Sequence, residues 1–474
     1  MKTLTVALGE FVANTRPDAI PERCLFGARI GMLDCVGTMI AGAREEAPQL
    51  VAGIAPTSMA NDGAPEIPSG RNLSSADAAL VNGTSAHVLD YDDVGMDGHP
   101  SAVLTSAILA EGWPLGASGL DALTAYVAGY EVWALMQELE PGRMHERGFH
   151  PTAIWGTPAC AAACARLNRL DAHQTTHAIA IAASLAAGVS ANFGTMTKSL
   201  HVGRTAQAGI LAARLAKVGF TGSPDALEHS TGFMRAHSPS GEPQLSPADW
   251  QLGRKWRMAE LGINIKRYPM CYGTHRSIDA MLDLVEKHNL LPDSVAEINV
   301  RIGDTQAVML RNHEPQTALE AKFSMEFAMA AALIARSVSL KELEDAFVRR
   351  EDITASMKKV RMTTTSERLP DVPFGPDDRV NVVLRTGETF VHEPVTHAKG
   401  SWQKPLTEAE LRQKFLDCAS VGLSKKQAVS LFDSLSSLER LSSLRELPVV
   451  SIHGLSDPRS PDTHMREIRR LGQG

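Results

Sequence analysis

The densest run of reactive side chains is His87-Val-Leu-Asp90-Tyr-Asp92-Asp93-Val-Gly-Met-Asp97-Gly98-His99-Pro100-Ser101. Four carboxylates and two imidazoles share it. Acids this close repel one another unless they are solvated or serve a site that uses their altered proton affinity. The stretch therefore reads either as a solvated loop or as general acid/base machinery, with Gly98 and Pro100 marking a turn into a helix. A second cluster, Lys198-Ser-Leu-His201-Val-Gly203, stands before a helix expected to begin near Arg204. Amides at a helix start plus a lysine would cradle a carboxylate; the plainer reading is an exposed lysine beside a buried histidine. A third, Lys266-Arg267-Tyr268-Pro269-Met-Cys271-Tyr272-Gly-Thr274-His275, falls where a helical pattern gives way to a mixed one, and domain junctions commonly hold small-molecule sites. Arg143 to His150 adds His145 and His150 in a loop.

Other chemistries fail on spacing. After His145-Glu146 the next histidine is His150, five residues on and turned about 140° around a helix, so a zincin pair is not encoded. There is no GxSxG elbow, no Walker lysine loop and no GxGxxG turn, which removes the usual support for hydrolase, nucleoside-triphosphatase and dinucleotide-enzyme readings.

The elements that must position these residues are mostly helices. In 474 residues, 44% are hydrophobic and 21% charged, ordinary for a globular chain, while aromatics are only 5%, which favours closely packed helices. With 47 basic against 54 acidic residues the net charge is −7, so no positive field exists for nucleic acid or an anionic membrane. The longest apolar run, Ala178 to Val189, is shorter than the about 20 residues a bilayer needs. No charged-then-apolar leader opens the chain, and six cysteines without a CxxC pair suit a reducing compartment, so a cytoplasmic location is expected. Cys160 and Cys164, one helical turn apart, read as packing residues. Leu25, Ile30, Leu33, Val36 and Ile40 recur at helical spacing up to Gly42. Further helices are expected at 75–88, 101–112, 119–138, 155–167, 171–188 and 205–218, with another starting at Ser223-Pro224. Near residue 290 the period drops to 2: Ile298, Val300 and Ile302 alternate with polar residues, and Val380, Val382 and Leu384 repeat this before a Thr386-Gly387 turn into Thr389 to Val395. With helices at 275–287 and 322–336, residues 267–400 form a smaller α+β unit. Thr407/Glu410 and Ser424/Gln427 read as capping boxes of two C-terminal helices that return to the helical part, giving 1–266 plus 401–474 as one domain.

Together these motifs resemble the MmgE/PrpD family, which includes 2-methylcitrate dehydratase, cis-aconitate decarboxylase and iminodisuccinate epimerase. The resemblance runs over nearly the whole chain: HVLDYDD with GHPS, RGFHPT, TKSLHVG, IKRYP with THRSID, KFSMEFAMA and PLTEAELRQKFLDCA. It implies a mainly α fold with a large all-helical domain and a smaller α+β lid domain, homodimerisation, and activity on a small anionic carboxylate with no metal or organic cofactor. The family's active-site positions fall on Asp90, His99, His150, Lys198 and Lys266, with His201, Arg267, Tyr268 and His275 as neighbouring substrate-binding residues. Such substrates react by proton movement beside a carboxylate. Lys198 and Lys266 would fix carboxylates and stabilise an enediolate-like state, His150 would add a hydrogen bond, and Asp90 with His99 would be the acid/base pair. Two departures bear on the activity: no histidine lies between Asp93 and His99, and Phe327 replaces a family tyrosine. The expected reaction is therefore dehydration of the 2-methylcitrate type, with His99 protonating the leaving hydroxyl. The alternatives are a dicarboxylate epimerase, a cis-aconitate-type decarboxylase, and a metal-dependent hydratase or binding module using the Asp/His cluster, although no complete ligand-loop spacing is present.

Overall fold

Small polar side chains set where the helices begin. The chain starts with α1 (Leu4–Asn14), α2 (Glu22–Gly42), α3 (Glu46–Ile54), α4 (Ser75–His87), α5 (Pro100–Leu115), α6 (Gly119–Glu138), α7 (Pro151–Leu167), α8 (Ala172–Ala183) and α9 (Met196–Lys217). Ser74 caps α4, while Ser118 with Asp121 and Asp171 with Gln174 form reciprocal capping boxes at α6 and α8. These elements are seen in a computed structural model that describes residues 2–58, 63–67, 70–369, 372 and 375–448. Two compact units result, Met1–Ile263 with Glu408–Gly474 and Asn264–Thr407.

In the first unit alanine and glycine let helices approach closely. Gly83 of α4 faces Gly203 of α9, where a Cβ on Gly83 would come 2.7 Å from the Gly203 Cα. Ala161, Ala165, Ala178, Ala182, Ala212 and Ala216 join α7, α8 and α9 in one small-residue core. By length and composition α2 could cross a membrane, which the sequence reading overlooked, yet 78% of its apolar window is buried in the unit. It packs there against α4 and against α12 (Glu408–Ala419), which is followed by α13 (Lys425–Ser436). All six cysteines are free and buried.

Three expected helix limits move. The α7 helix starts at Pro151 rather than 155, and α8 ends at Ala183 rather than 188 because Gly188 O accepts from His150 N at 3.0 Å. The α9 helix starts at Met196 rather than near Arg204, so Lys198 and His201 lie inside it. Its Gly203 read as loop but is a packing residue, since a Cβ there would collide with the Leu80 carbonyl. No helix starts at Pro224; the chain turns there and the next helix is Phe233–His237.

The second unit contains α10 (His275–His288), β1 (Val295–Gly303), α11 (Met325–Ala335), β2 (Val360–Thr365), β3 (Arg379–Leu384) and β4 (Thr389–Val391). Its sheet runs β2-β1-β3-β4, with β1 and β2 parallel and the other pairs antiparallel. Ile298 sits opposite Val382 and Val300 opposite Val380, and these side chains share a core with Ile278, Met281, Leu284 and Phe327. The β2 strand was hidden in the sequence by its polar residues, which an edge strand tolerates. Residues 264–266 and 401–407, expected with the helices, fall in this unit. Ile265 N donates to Gly400 O at 2.8 Å and Trp402 N to Asn264 Oδ1 at 3.0 Å, so the two connecting strands of chain are tied to each other.

Candidate active site

Three helix starts in the first unit supply one polar cluster. His99 is the N-cap of α5 and His150 that of α7, and each precedes a proline at the first helical position. A residue before proline is kept out of the helical region, which sends both imidazoles off the helix ends. Lys198 lies in the first turn of α9, behind its Thr195 cap. Each helix start carries partial positive charge, so their meeting beside a lysine favours bound carboxylates.

The loop from α4 to α5 is tightly specified. Asp90 N donates to His87 O at 3.0 Å, and Asp90 takes a left-handed φ of 53°. For a residue with a Cβ that costs roughly 1–2 kcal/mol, and aspartate tolerates it better than most. Gly95 and Gly98 exchange backbone hydrogen bonds of 3.0 and 2.9 Å around Met96 and Asp97, whose φ values of 53° and 58° define a type I′ turn. A Cβ on Gly98 would meet Trp133 Cζ2 at 2.8 Å, so this position needs glycine.

His87 Nδ1 lies 3.0 and 2.9 Å from the two Asp92 oxygens. His99 Nδ1 lies 2.8 Å from the Asp93 carbonyl oxygen and 3.1 Å from Asp92 Oδ2. Facing two acceptors, Nδ1 is assigned the proton, which leaves Nε2, 3.9 Å from Asp90 Oδ1, as the exchanging nitrogen. Lys198 Nζ donates to that same Asp90 oxygen at 2.8 Å and stands 5.4 Å from the Phe193 ring centroid. His150 Nδ1 is 3.1 Å from His201 Nδ1, and the His150 ring stacks on His87 at 5.9 Å and meets Phe193 edge-on at 4.9 Å.

Burial pulls His87 down to about 4 despite the opposing pull of Asp92. Burial, then the closeness of Lys198 and of the neighbouring imidazoles, holds His150 well below the ordinary imidazole value, and burial with Lys198 lowers His201. Burial would raise Asp92, but the imidazoles of His87 and His99 overcome it and hold the carboxyl well below its usual range. Asp93 moves the other way: burial, then the charge of Asp92, pushes it well above. It accepts from Ser101 N at 3.1 Å and so caps α5 in place of His99.

Of the residues expected from sequence, Asp90, His99, His150, Lys198 and His201 come together here. Lys266, Arg267, Tyr268 and His275 belong to the second unit. Lys266 is buried there; Tyr268 donates to Asp279 at 2.7 Å, Arg267 lies 3.5 Å from the same carboxylate, and His275 Nε2 lies 3.3 Å from Met270 O. Sequence reasoning gave no role to His87 or Asp92, although both lay in the acid-rich run. His87, Asp90, Asp92 and His99 offer donor atoms within 4.8 Å of one another, a set that would suit a divalent ion in number. Such an ion would share Asp90 with the ammonium 2.8 Å away, whose charge opposes it.

The helical unit gathers Asp90, His99 and Lys198 beside converging helix starts, and a smaller α+β unit follows it in sequence. The chain belongs to the MmgE/PrpD family: residues 6–246 match its N-terminal domain and residues 268–437 its C-terminal domain. It is 32% identical over 383 residues to the Mus musculus cis-aconitate decarboxylase, covering 77% of this chain and 76% of that protein. The Homo sapiens cis-aconitate decarboxylase is 32% identical over 379 residues, with the same shares of 77% and 76%. A cis-aconitate decarboxylase of Aspergillus terreus is 23% identical over 472 residues, 94% of this chain and 95% of that protein. These relatives favour the decarboxylase alternative over the 2-methylcitrate dehydratase reading. The two departures that pointed away from it have these places in the structure. Phe327 is a core residue 6.4 Å from Phe347, and the segment before His99 is shaped by the Gly95–Gly98 turn.

Proposed function

We propose that the protein is a carbon–carbon lyase that removes carbon dioxide from an unsaturated tricarboxylate of the cis-aconitate type. In such a substrate the departing carboxylate hangs from a methylene beside the double bond. When that carbon–carbon bond breaks, its electron pair forms a new double bond to the central carbon. The old π pair moves to the far carbon, which takes a proton. That carbon bears a carboxylate, so charge builds up on an enediolate-like oxygen pair. Lys198 and the helix starts around it would hold this charge, in a site where buried electrostatics act strongly. A proton on His99 Nε2, steadied by Asp90, would go to the carbon, and uncharged His150 would bond a second carboxylate.

The observation that carries this reading is the meeting of Asp90, in the α4–α5 loop, with His99 and Lys198 at two helix starts, on a chain 32% identical to a mammalian decarboxylase. For Lys266 the support is the family resemblance alone, as it is for a homodimer. Proton NMR in heavy water with cis-aconitate, citrate, 2-methylcitrate and iminodisuccinate tests it. The expected outcome is carbon dioxide release from cis-aconitate with one deuteron in the product methylene; hydration, dehydration or epimerisation without carbon dioxide would overturn it. Asp90→Asn and His99→Gln should each abolish turnover with the fold intact, and full activity in either removes that residue from the mechanism.

A further inference from the structure

Helix α12 sends one side chain into the interior behind the loop that carries Asp90 and Asp92. Lys414 is only 6% exposed although it is charged. Its Nζ lies 2.6 Å from Asp34 Oδ1 on α2, 3.0 Å from the Tyr91 carbonyl oxygen, and 4.1 Å from the centroid of the Tyr91 ring. Tyr91 stands between Asp90, which holds Lys198, and Asp92, which accepts from His87 and His99.

Burying an ammonium costs several kcal/mol, and for stability alone an apolar pair of similar volume usually serves as well as a buried ion pair. Lys414 does something an apolar residue cannot. It bonds the peptide carbonyl that leads into Asp92, and its charge lies against the ring of the residue that follows Asp90. That tie falls beside the left-handed Asp90, whose conformation costs roughly 1–2 kcal/mol that the surrounding structure must offset. The surroundings add to the demand for a cation: Asp34 and Asp92 both act on Asp93, and Asp34, Asp92 and Asp93 all act on the thiol of Cys35.

We propose that Lys414 is a positioning residue for the active-site loop, holding the Tyr91 peptide so that Asp90 and Asp92 present their carboxylates to Lys198 and His99. This rests on the decarboxylase reading for its kinetic consequence, but its structural consequence does not. The test uses Lys414→Met and the double variant Asp34→Asn/Lys414→Met, in which the buried carboxylate left behind by the first change is also made neutral.

The single variant should lose both thermal stability and turnover. The double variant should regain most of the melting temperature while kcat stays down by on the order of tenfold to a hundredfold, the usual cost of slightly misplaced groups, with KM little changed. Hydrogen exchange should quicken at the amides of residues 90–94 in both variants and stay unchanged elsewhere in α2 and α12 in the double variant. Recovery of turnover together with stability in the double variant would overturn the proposal, because Lys414 would then only neutralise Asp34. Unchanged exchange at 90–94 in the double variant would overturn it as well, whatever the substrate. If the wild type fails to release carbon dioxide from cis-aconitate, the functional reading falls and the exchange result still decides the role of Lys414.

Discussion

His87 gives the molecule a pH dependence that can be worked from the structure. Its pKa falls from the ordinary 6.5 to about 4 on folding because burial excludes the charged ring. The folded state refuses a proton that the unfolded chain accepts below pH 6.5, so stability is complete above that pH and drains away as pH falls towards 4. The shift corresponds to about 3 kcal/mol in all, of which about 2 kcal/mol is gone by pH 5. Asp93 has the opposite sign, since its raised carboxyl keeps a proton that the unfolded chain releases above 3.8, and this contribution shrinks as pH rises. Asp92, held low, contributes in full above its unfolded value of 3.8 and loses that contribution only as pH falls below it. The wild-type curve mixes these slopes, and a difference curve isolates one. His87→Gln keeps an N–H donor for Asp92 but cannot titrate. Urea unfolding of both proteins between pH 5 and 7.5, followed by tryptophan emission, should show their stability gap shifting by about 2 kcal/mol in favour of the variant at the acid end. Parallel curves would refute the claim that a neutral, buried His87 controls the acid limb.

Lys198→Met should lower kcat by about 10²–10³, the range for losing one group that stabilises developing negative charge, with circular dichroism unchanged. Gly203→Ala should cost about 1–3 kcal/mol, read as a lower melting temperature. It should also reduce turnover, because the new methyl pushes α9, which carries Lys198, away from Leu80 on α4. Exhaustive chelation should leave activity intact, with elemental analysis finding no stoichiometric metal; loss of activity restored by a divalent ion would return His87, Asp90, Asp92 and His99 to the role of ligands.

What the sequence revealed and what it hid follow from locality. The acid/base loop was legible because its members lie within one stretch, and the proline after His99 and again after His150 marks two helix starts in plain view. The third start was misplaced by several residues: Lys198, His201 and Gly203 break the apolar rhythm of α9, and only the partner surface on α4 explains a glycine there. His87 carried no signal, since its partner Asp92 is a neighbour in a run of acids with no helical or strand spacing to single it out. Lys414 was invisible for the opposite reason, as it sits 323 residues from the Tyr91 carbonyl it holds. Long-range pairing also hid β2, whose polar edge strand makes sense only beside β1.

The cluster's charge balance separates binding from chemistry. With His87 and His150 held neutral by burial, Lys198 is the fixed cation of the described cluster, and Asp90 already lies 2.8 Å from it. An incoming carboxylate must share that ammonium with Asp90. Two like charges about 5.5 Å apart repel by about 3 kcal/mol at an effective dielectric of about 20. Asp90→Asn removes the competitor but keeps an oxygen for Lys198. It should therefore tighten binding of a tricarboxylate, with a tenfold gain needing only about 1.4 kcal/mol of that repulsion, while turnover is lost. Calorimetric titration of the inactive variant with cis-aconitate measures this directly. Weaker binding than in wild type would mean that Asp90 aims Lys198 at the substrate more than it competes for it, and the acid/base role given to Asp90 would pass to His99 alone.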